Sequence, residues 1–123
     1  MWIYDRDGVA ALLLSASGRL FTPHAIQVGW LEGSAVFTRQ AQHVAWFSGG
    51  LLRDVQGCVA GFSAGAADPV RPALPSLSAP SGVLSLPVSI ARPACSESVE
   101  RLTDRPAWSA LRPLELFPPS TQP

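Results

Sequence analysis

From Trp2 to Ser63 the chain alternates short apolar runs with turn residues, and one pattern of run, turn and second run appears four times in succession. The first runs are Trp2 to Asp5, Arg19 to Thr22, Ala35 to Thr38 and Leu51 to Asp54. The second runs are Ala10 to Leu13, Val28 to Leu31, Val44 to Phe47 and Val59 to Phe62. A repeat of roughly sixteen residues is too short for a helical-repeat solenoid and suits one β-hairpin per unit. Asp7-Gly8 marks the first hairpin turn, because glycine takes the positive φ of a tight reversal without steric penalty. The turns at Pro23 to Ile26, Arg39 to Gln42 and Val55 to Gly57 complete the series. The pattern predicts an all-β fold of four consecutive β-hairpins arranged about a pseudo-four-fold axis, followed by a mostly irregular Pro-rich C-terminal half.

A single hairpin is marginal in water, so the four must bury one another. Two sets of equivalent positions offer a shared core: Ile3, Leu20, Val36 and Leu52, and Leu13, Leu31, Phe47 and Phe62. Asp5, Thr22, Thr38 and Asp54 also occupy equivalent positions, where short oxygen-bearing side chains satisfy turn amides.

Eleven of the twelve prolines follow Gly65, which divides the chain in two. Residues 1–64 form the four-hairpin domain, 65–96 a Pro/Ser/Ala-rich linker, 97–118 a short terminal segment, and 119–123 a disordered tail. The linker composition cannot bury enough surface to offset chain entropy, although the apolar residues between Val83 and Ile90 leave a docked strand as an alternative. Glu97 to Arg105 is expected to form one or two helical turns ending at Pro106. Beyond it, Trp108, Leu111, Leu114, Leu116 and Phe117 make an apolar cluster, either folded back on the hairpins or presented as a linear motif to a partner.

Formal net charge is zero and no block of like charge occurs, which removes the converging cations that nucleic-acid binding requires. Cys58 and Cys95 read as two free thiols of a reducing compartment. The run Val9 to Leu14 is too short for export or a membrane span and follows Asp5, Arg6 and Asp7, so a cytoplasmic setting without membrane association is expected.

Tyr4-Asp5-Arg6-Asp7-Gly8, Gly29-Trp30-Leu31-Glu32-Gly33, His43 to Phe47 and Asp54 to Gly57 resemble the four-fold β-flower domain of small bacterial proteins. Trp108-Ser109 and Phe117 resemble that family's terminal segment. The resemblance implies four hairpins about a pseudo-four-fold axis and assigns no catalytic or binding residues. The chain departs from the family where Ala25 and Ala41 stand at expected turn glycines and Ala45 replaces the glycine matching Gly29. A left-handed alanine costs about 1–2 kcal/mol, so those turns have either changed type or carry strain.

No phosphate loop, nucleophile elbow or dinucleotide fingerprint occurs. His24, His43, Cys58 and Cys95 lack paired metal-ligand spacing, so neither a metal nor another cofactor is expected. Trp30 and Trp46 occupy matching positions and form the candidate binding face. The reading is a non-enzymatic module for protein interaction or assembly, its partner an unknown protein or its own tail. The alternative is a small-ligand or carbohydrate-binding module on the Trp face, and an enzyme ranks third.

Overall fold

A computed structural model describes residues 1–78 and 100–117. The remaining linker, including the alternative strand at 83–90, and the tail at 119–123 lie outside the described residues. The eight strands are β1 (Trp2–Tyr4), β2 (Ala10–Leu14), β3 (Arg19–Phe21), β4 (Gln27–Glu32), β5 (Ala35–Thr38), β6 (His43–Ser48), β7 (Leu51–Asp54) and β8 (Val59–Ser63). Each pairs antiparallel with the next, and β1 pairs with β8 to close a barrel. Closure leaves no long free edge, which is how so short a set of strands satisfies its backbone.

A register shift recurs between Ile3 and Tyr4, Leu20 and Phe21, Val36 and Phe37, and Leu52 and Arg53. Each marks one extra residue on the opposing strand, and such a bulge sharpens the local twist. The four turns beyond these bulges share one hydrogen-bond pattern. Asp5 Oδ1 accepts the amides of Asp7 and Val9, Thr22 Oγ1 those of His24 and Ile26, Thr38 Oγ1 those of Gln40 and Gln42, and Asp54 Oδ1 those of Gln56 and Cys58. The amides of Gly8, Ala25, Ala41 and Gly57 each donate to the carbonyl three residues earlier. All four have positive φ, Ala25 at 64° and Ala41 at 65°, so the alanine turns keep the glycine conformation.

Ile3, Leu20, Val36 and Leu52 are all buried in one cluster with Leu12, Ala45, Ala60, Leu116 and Phe117. The second expected set does not exist as one layer. Leu31 and Phe47 pack with Leu14 against this first cluster. Leu13 and Phe62 instead share a register position with the two tryptophans, as the pairs Trp2 with Leu13, Arg19 with Trp30, Ala35 with Trp46 and Leu51 with Phe62 show. A slip of one residue moves a strand position to the other face, and the expected set mixed the two faces. Phe62 belongs to a second cluster with Tyr4, Leu51 and Val59.

Described parts of the C-terminal half pack on both clusters. Ala66 and Leu74, within the expected linker, join the second cluster together with Trp108. Residues 100–105 are not helical; the Arg105 amide donates to Gly57 O at 3.0 Å, a bond made across the chain in place of a local helical one. The single short helix among the described residues is the 3₁₀ turn Pro113–Leu116.

Candidate functional site

The barrel receives its terminal segment where its second strands carry small residues. Opposite Ile3, Leu20, Val36 and Leu52 stand Leu12, Gly29, Ala45 and Gly61. A Cβ on Gly29 would meet the Phe37 carbonyl and lie 2.9 Å from Phe117 Cε1, and one on Gly61 would lie 2.9 Å from Pro113 Cγ. These glycines make room for the segment, and Leu116 and Phe117 are 5% and 7% exposed as a result. Trp108 is half-buried, whereas Leu111 and Leu114 remain exposed. The apolar set that the sequence groups together is therefore divided, part of it packed and part facing solvent.

Arg53 holds two stretches of the C-terminal half to β7. Its side chain is 1% exposed, and Nη1 donates to Gly57 O at 2.9 Å and Arg105 O at 3.0 Å. Nη2 donates to Asp68 Oδ2 at 3.3 Å and to the Val70 carbonyl. Nε lies 3.4 Å from Asp104 Oδ1, an ion pair without hydrogen-bond geometry. A buried guanidinium is tolerable when its donors find acceptors and its charge a partner; here both Nη atoms are bonded and Asp68 and Asp104 supply the charge. The Val70 amide, donating to Asp68 Oδ1 at 2.9 Å, and the adjacent Arg53 hold the Asp68 carboxyl below the usual carboxylate range. Sequence reading missed Arg53. Its signal was positional, because the repeat places Tyr4, Phe21 and Phe37 at the equivalent site.

A cleft of about 370 Å³ opens between the start of β6, the β7–β8 turn and the terminal segment. Val44, Val55, Ala110, Leu111 and Leu116 supply its apolar lining, and His43, Asp54, Gln56, Cys58, Ser109 and Glu115 the polar part. The volume falls within the roughly 300–1,000 Å³ range of small-molecule sites. Four of its polar side chains, Asp54, Ser109, His43 and Glu115, are tied to the protein. Asp54 Oδ1 holds the turn amides and Oδ2 accepts from Ser109 Oγ at 2.6 Å. The His43 ring contacts Ala45 O through Nε2 at 2.9 Å, and Glu115 Oε1 accepts the Arg112 amide at 2.8 Å. Among the described residues no group of three His, Cys, Asp or Glu side chains gathers as a metal site would require.

Trp30 and Trp46 do not form a shared open face. Trp30 is 3% exposed, and Trp46 is half-buried beneath the Arg101 guanidinium, 5.4 Å from its ring centre, with the His43 ring edge-on at 4.3 Å. Barrel pairing brings Phe37 and its strand opposite Trp30, while Arg101 from the C-terminal half lies over Trp46. His24 is exposed in its turn, and Cys58 is a free, half-buried thiol at the cleft; Cys95 lies outside the described residues.

A family model described as 4-fold beta flower protein matches residues 1–117. The chain belongs to the β-flower family. The match runs from the first strand through Phe117, so the β-flower model spans the terminal segment that fills the barrel as well as the strands. Comparison with curated proteins and with solved structures gives no match. No helix among the described residues is long and apolar enough to cross a membrane.

Proposed function

We propose that this β-flower chain is a non-enzymatic protein-interaction module. In this reading four consecutive hairpins stand about a pseudo-four-fold axis, and the cleft at Val44, Val55 and Leu111 receives an apolar side chain of a partner protein. One observation carries the reading: the Asp54 carboxylate and the His43 imidazole at the cleft already hold turn amides, a serine hydroxyl and a backbone carbonyl, which leaves aliphatic surface as most of what the cleft offers. An apolar concavity with few oriented polar groups suits recognition of a side chain in a groove. Exposed Leu111, 43% accessible at the edge of the cleft, extends that surface toward a partner. The free thiol of Cys58 suits a reducing, cytoplasmic setting.

The test is selection of a displayed random-peptide library on the full chain, with Val55→Arg as the blocked control. Peptides sharing an apolar anchor should enrich on the parent and vanish on the variant, whose barrel fold is checked by circular dichroism. Equal enrichment on both, or none on either, overturns the reading.

A further inference from the structure

Two junctions between neighbouring hairpins have an aspartate at the flanking turn, Asp5 in one and Asp54 in the other, and among the described residues the backbone of segment 105–113 pairs along only the first. The filled junction lies between the start of β8 and the first turn. There Gly57 O accepts the Arg105 amide, the Val59 amide donates to Ala107 O at 2.8 Å, and Val59 O accepts the Ser109 amide at 2.7 Å. Val59 and Trp108 thus form a short parallel bridge. The bridge is possible because β1 reaches only as far as Tyr4, opposite Phe62, and leaves the start of β8 without a neighbouring strand. The chain then turns across the first hairpin turn, where Arg112 Nη1 lies 3.3 Å from Asp5 Oδ2 and 2.8 Å from Asp7 Oδ2. Pro113 follows, against Gly61.

The second junction lies between the start of β6 and the β7–β8 turn. Here β7 ends at Asp54, opposite Ala45, so the start of β6 likewise runs past its neighbour. Asp54 and Gln56 hold the turn positions of Asp5 and Asp7, and Ala41 holds that of Gly57. Among the described residues the Ala41 carbonyl accepts no backbone amide, whereas its counterparts Gly8 and Gly57 accept those of Ser78 and Arg105. Where Arg112 and Pro113 sit in the first junction, the second has the open cleft. Its lining contains two carboxylates, Asp54 and Glu115, and no arginine.

We propose that the cleft binds an extended peptide bearing an Arg-Pro pair beside an aliphatic side chain, in the manner of this chain's own Leu111-Arg112-Pro113. The proposal rests on the docking reading above and names its ligand. The peptide guanidinium lies beside the Gln56 amide oxygen and the second carboxylate oxygen of Glu115, whose Oε1 holds the Arg112 amide; Asp54, its two oxygens already bonded, adds only its charge. The proline and the aliphatic side chain rest on Val44 and Val55. A peptide amide donates to Ala41 O, which adds a strand contact to the side-chain contacts. The proline favours an extended backbone at itself and at the preceding residue, which limits the ordering cost of binding.

The probe is a synthetic, end-blocked peptide Ser-Ala-Leu-Arg-Pro-Leu-Glu, the sequence of residues 109–115, titrated into the isotope-labelled full chain and followed by amide chemical shifts. Saturable shifts confined to Ala41 to Val44, Val55 to Cys58 and Leu111 to Glu115 are expected. Replacing the peptide arginine by glutamate should weaken binding roughly ten-fold or more, as should the exposed-site variant Gln56→Arg, which leaves the turn backbone intact. Raising salt should weaken the parent peptide more than the glutamate peptide. Absence of shifts, or equal binding of the two peptides, overturns the proposal. Shifts centred on Val59 and Ala107 also overturn it, because they report displacement of the chain's own segment. Where library selection yields cleft-binding peptides and this probe fails, the Arg-Pro chemistry falls and the docking reading stands.

Discussion

Ala25 and Ala41 show how a residue can contradict its own backbone. Both retain the left-handed turn that Gly8 and Gly57 occupy, held by the Thr22 and Thr38 hydroxyls and by a three-residue amide bond in each turn. Ala25→Gly and Ala41→Gly should each stabilise the protein by about 1 kcal/mol, the left-handed penalty less the extra freedom that glycine gains when unfolded. Urea unfolding reads this as a higher midpoint at unchanged slope, and a fall in stability would mean that the alanine methyls make compensating contacts. Asp68 makes a different prediction. Its carboxyl is held below the usual range by the Val70 amide and by Arg53, so the folded state favours the ionised form. The stabilisation is fully present above the unfolded carboxyl's pKa of roughly 4 and is lost as pH falls through the lower folded value. The stability difference between the parent and Asp68→Asn should therefore be constant above about pH 5 and shrink as pH drops below 4. A difference that stays level down to pH 2 would show that the carboxylate charge contributes nothing.

Among the elements, the 3₁₀ turn Pro113–Leu116 and the following Phe117 act as the closing piece of the barrel core. Phe117→Ala should cost about 3–5 kcal/mol, the range for deleting a buried aromatic ring, and a loss under 1 kcal/mol would show that the ring is dispensable. Gly29→Ala should also destabilise, because its Cβ would press on the Phe37 carbonyl, which is backbone and cannot swing aside. The strands were legible in the sequence almost to the residue, and so was the inner layer Ile3, Leu20, Val36 and Leu52, since a two-residue alternation repeated four times defines both. The facing layer was not. The expected set took Leu13 and Phe62 one residue nearer to the inner-layer positions Ile3 and Leu52 than Leu31 and Phe47 are to Leu20 and Val36, and on a strand that one residue changes the face. Arg53 was hidden for a related reason: a charged residue in a short strand reads as exposed, and only its carbonyl and carboxylate partners, distant in sequence, explain its burial. The cleft could not be read at all, because residues 43–44, 54–58 and 109–116 meet only once the terminal segment has folded back.

At the scale of the whole molecule, the described parts of the C-terminal half belong to the same folded body as the barrel. The Leu116 and Phe117 side chains lie in the first cluster, Ala66, Leu74 and Trp108 cover the second, and Arg53 fastens both Asp68 and Asp104 between them. Ser109 adds a buried bond to Asp54 across 55 positions of sequence. Anchors of three kinds, apolar, ionic and backbone, cannot be released one at a time without leaving an exposed core or an unpaired buried guanidinium. Removal of the terminal segment should therefore do more than shorten the chain. A protein ending at Ser63 is expected to lose cooperative unfolding, while the full chain should unfold in a single step. The measurement is urea denaturation followed in parallel by far-ultraviolet circular dichroism, which reports the strands, and by the fluorescence of Trp108 in a variant whose other tryptophans are replaced by phenylalanine. Coincident transitions are the signature of one unit. A Trp108 transition that precedes loss of the strands, together with a stable protein ending at Ser63, would instead make the terminal segment a detachable arm, free to leave its junction and dock elsewhere.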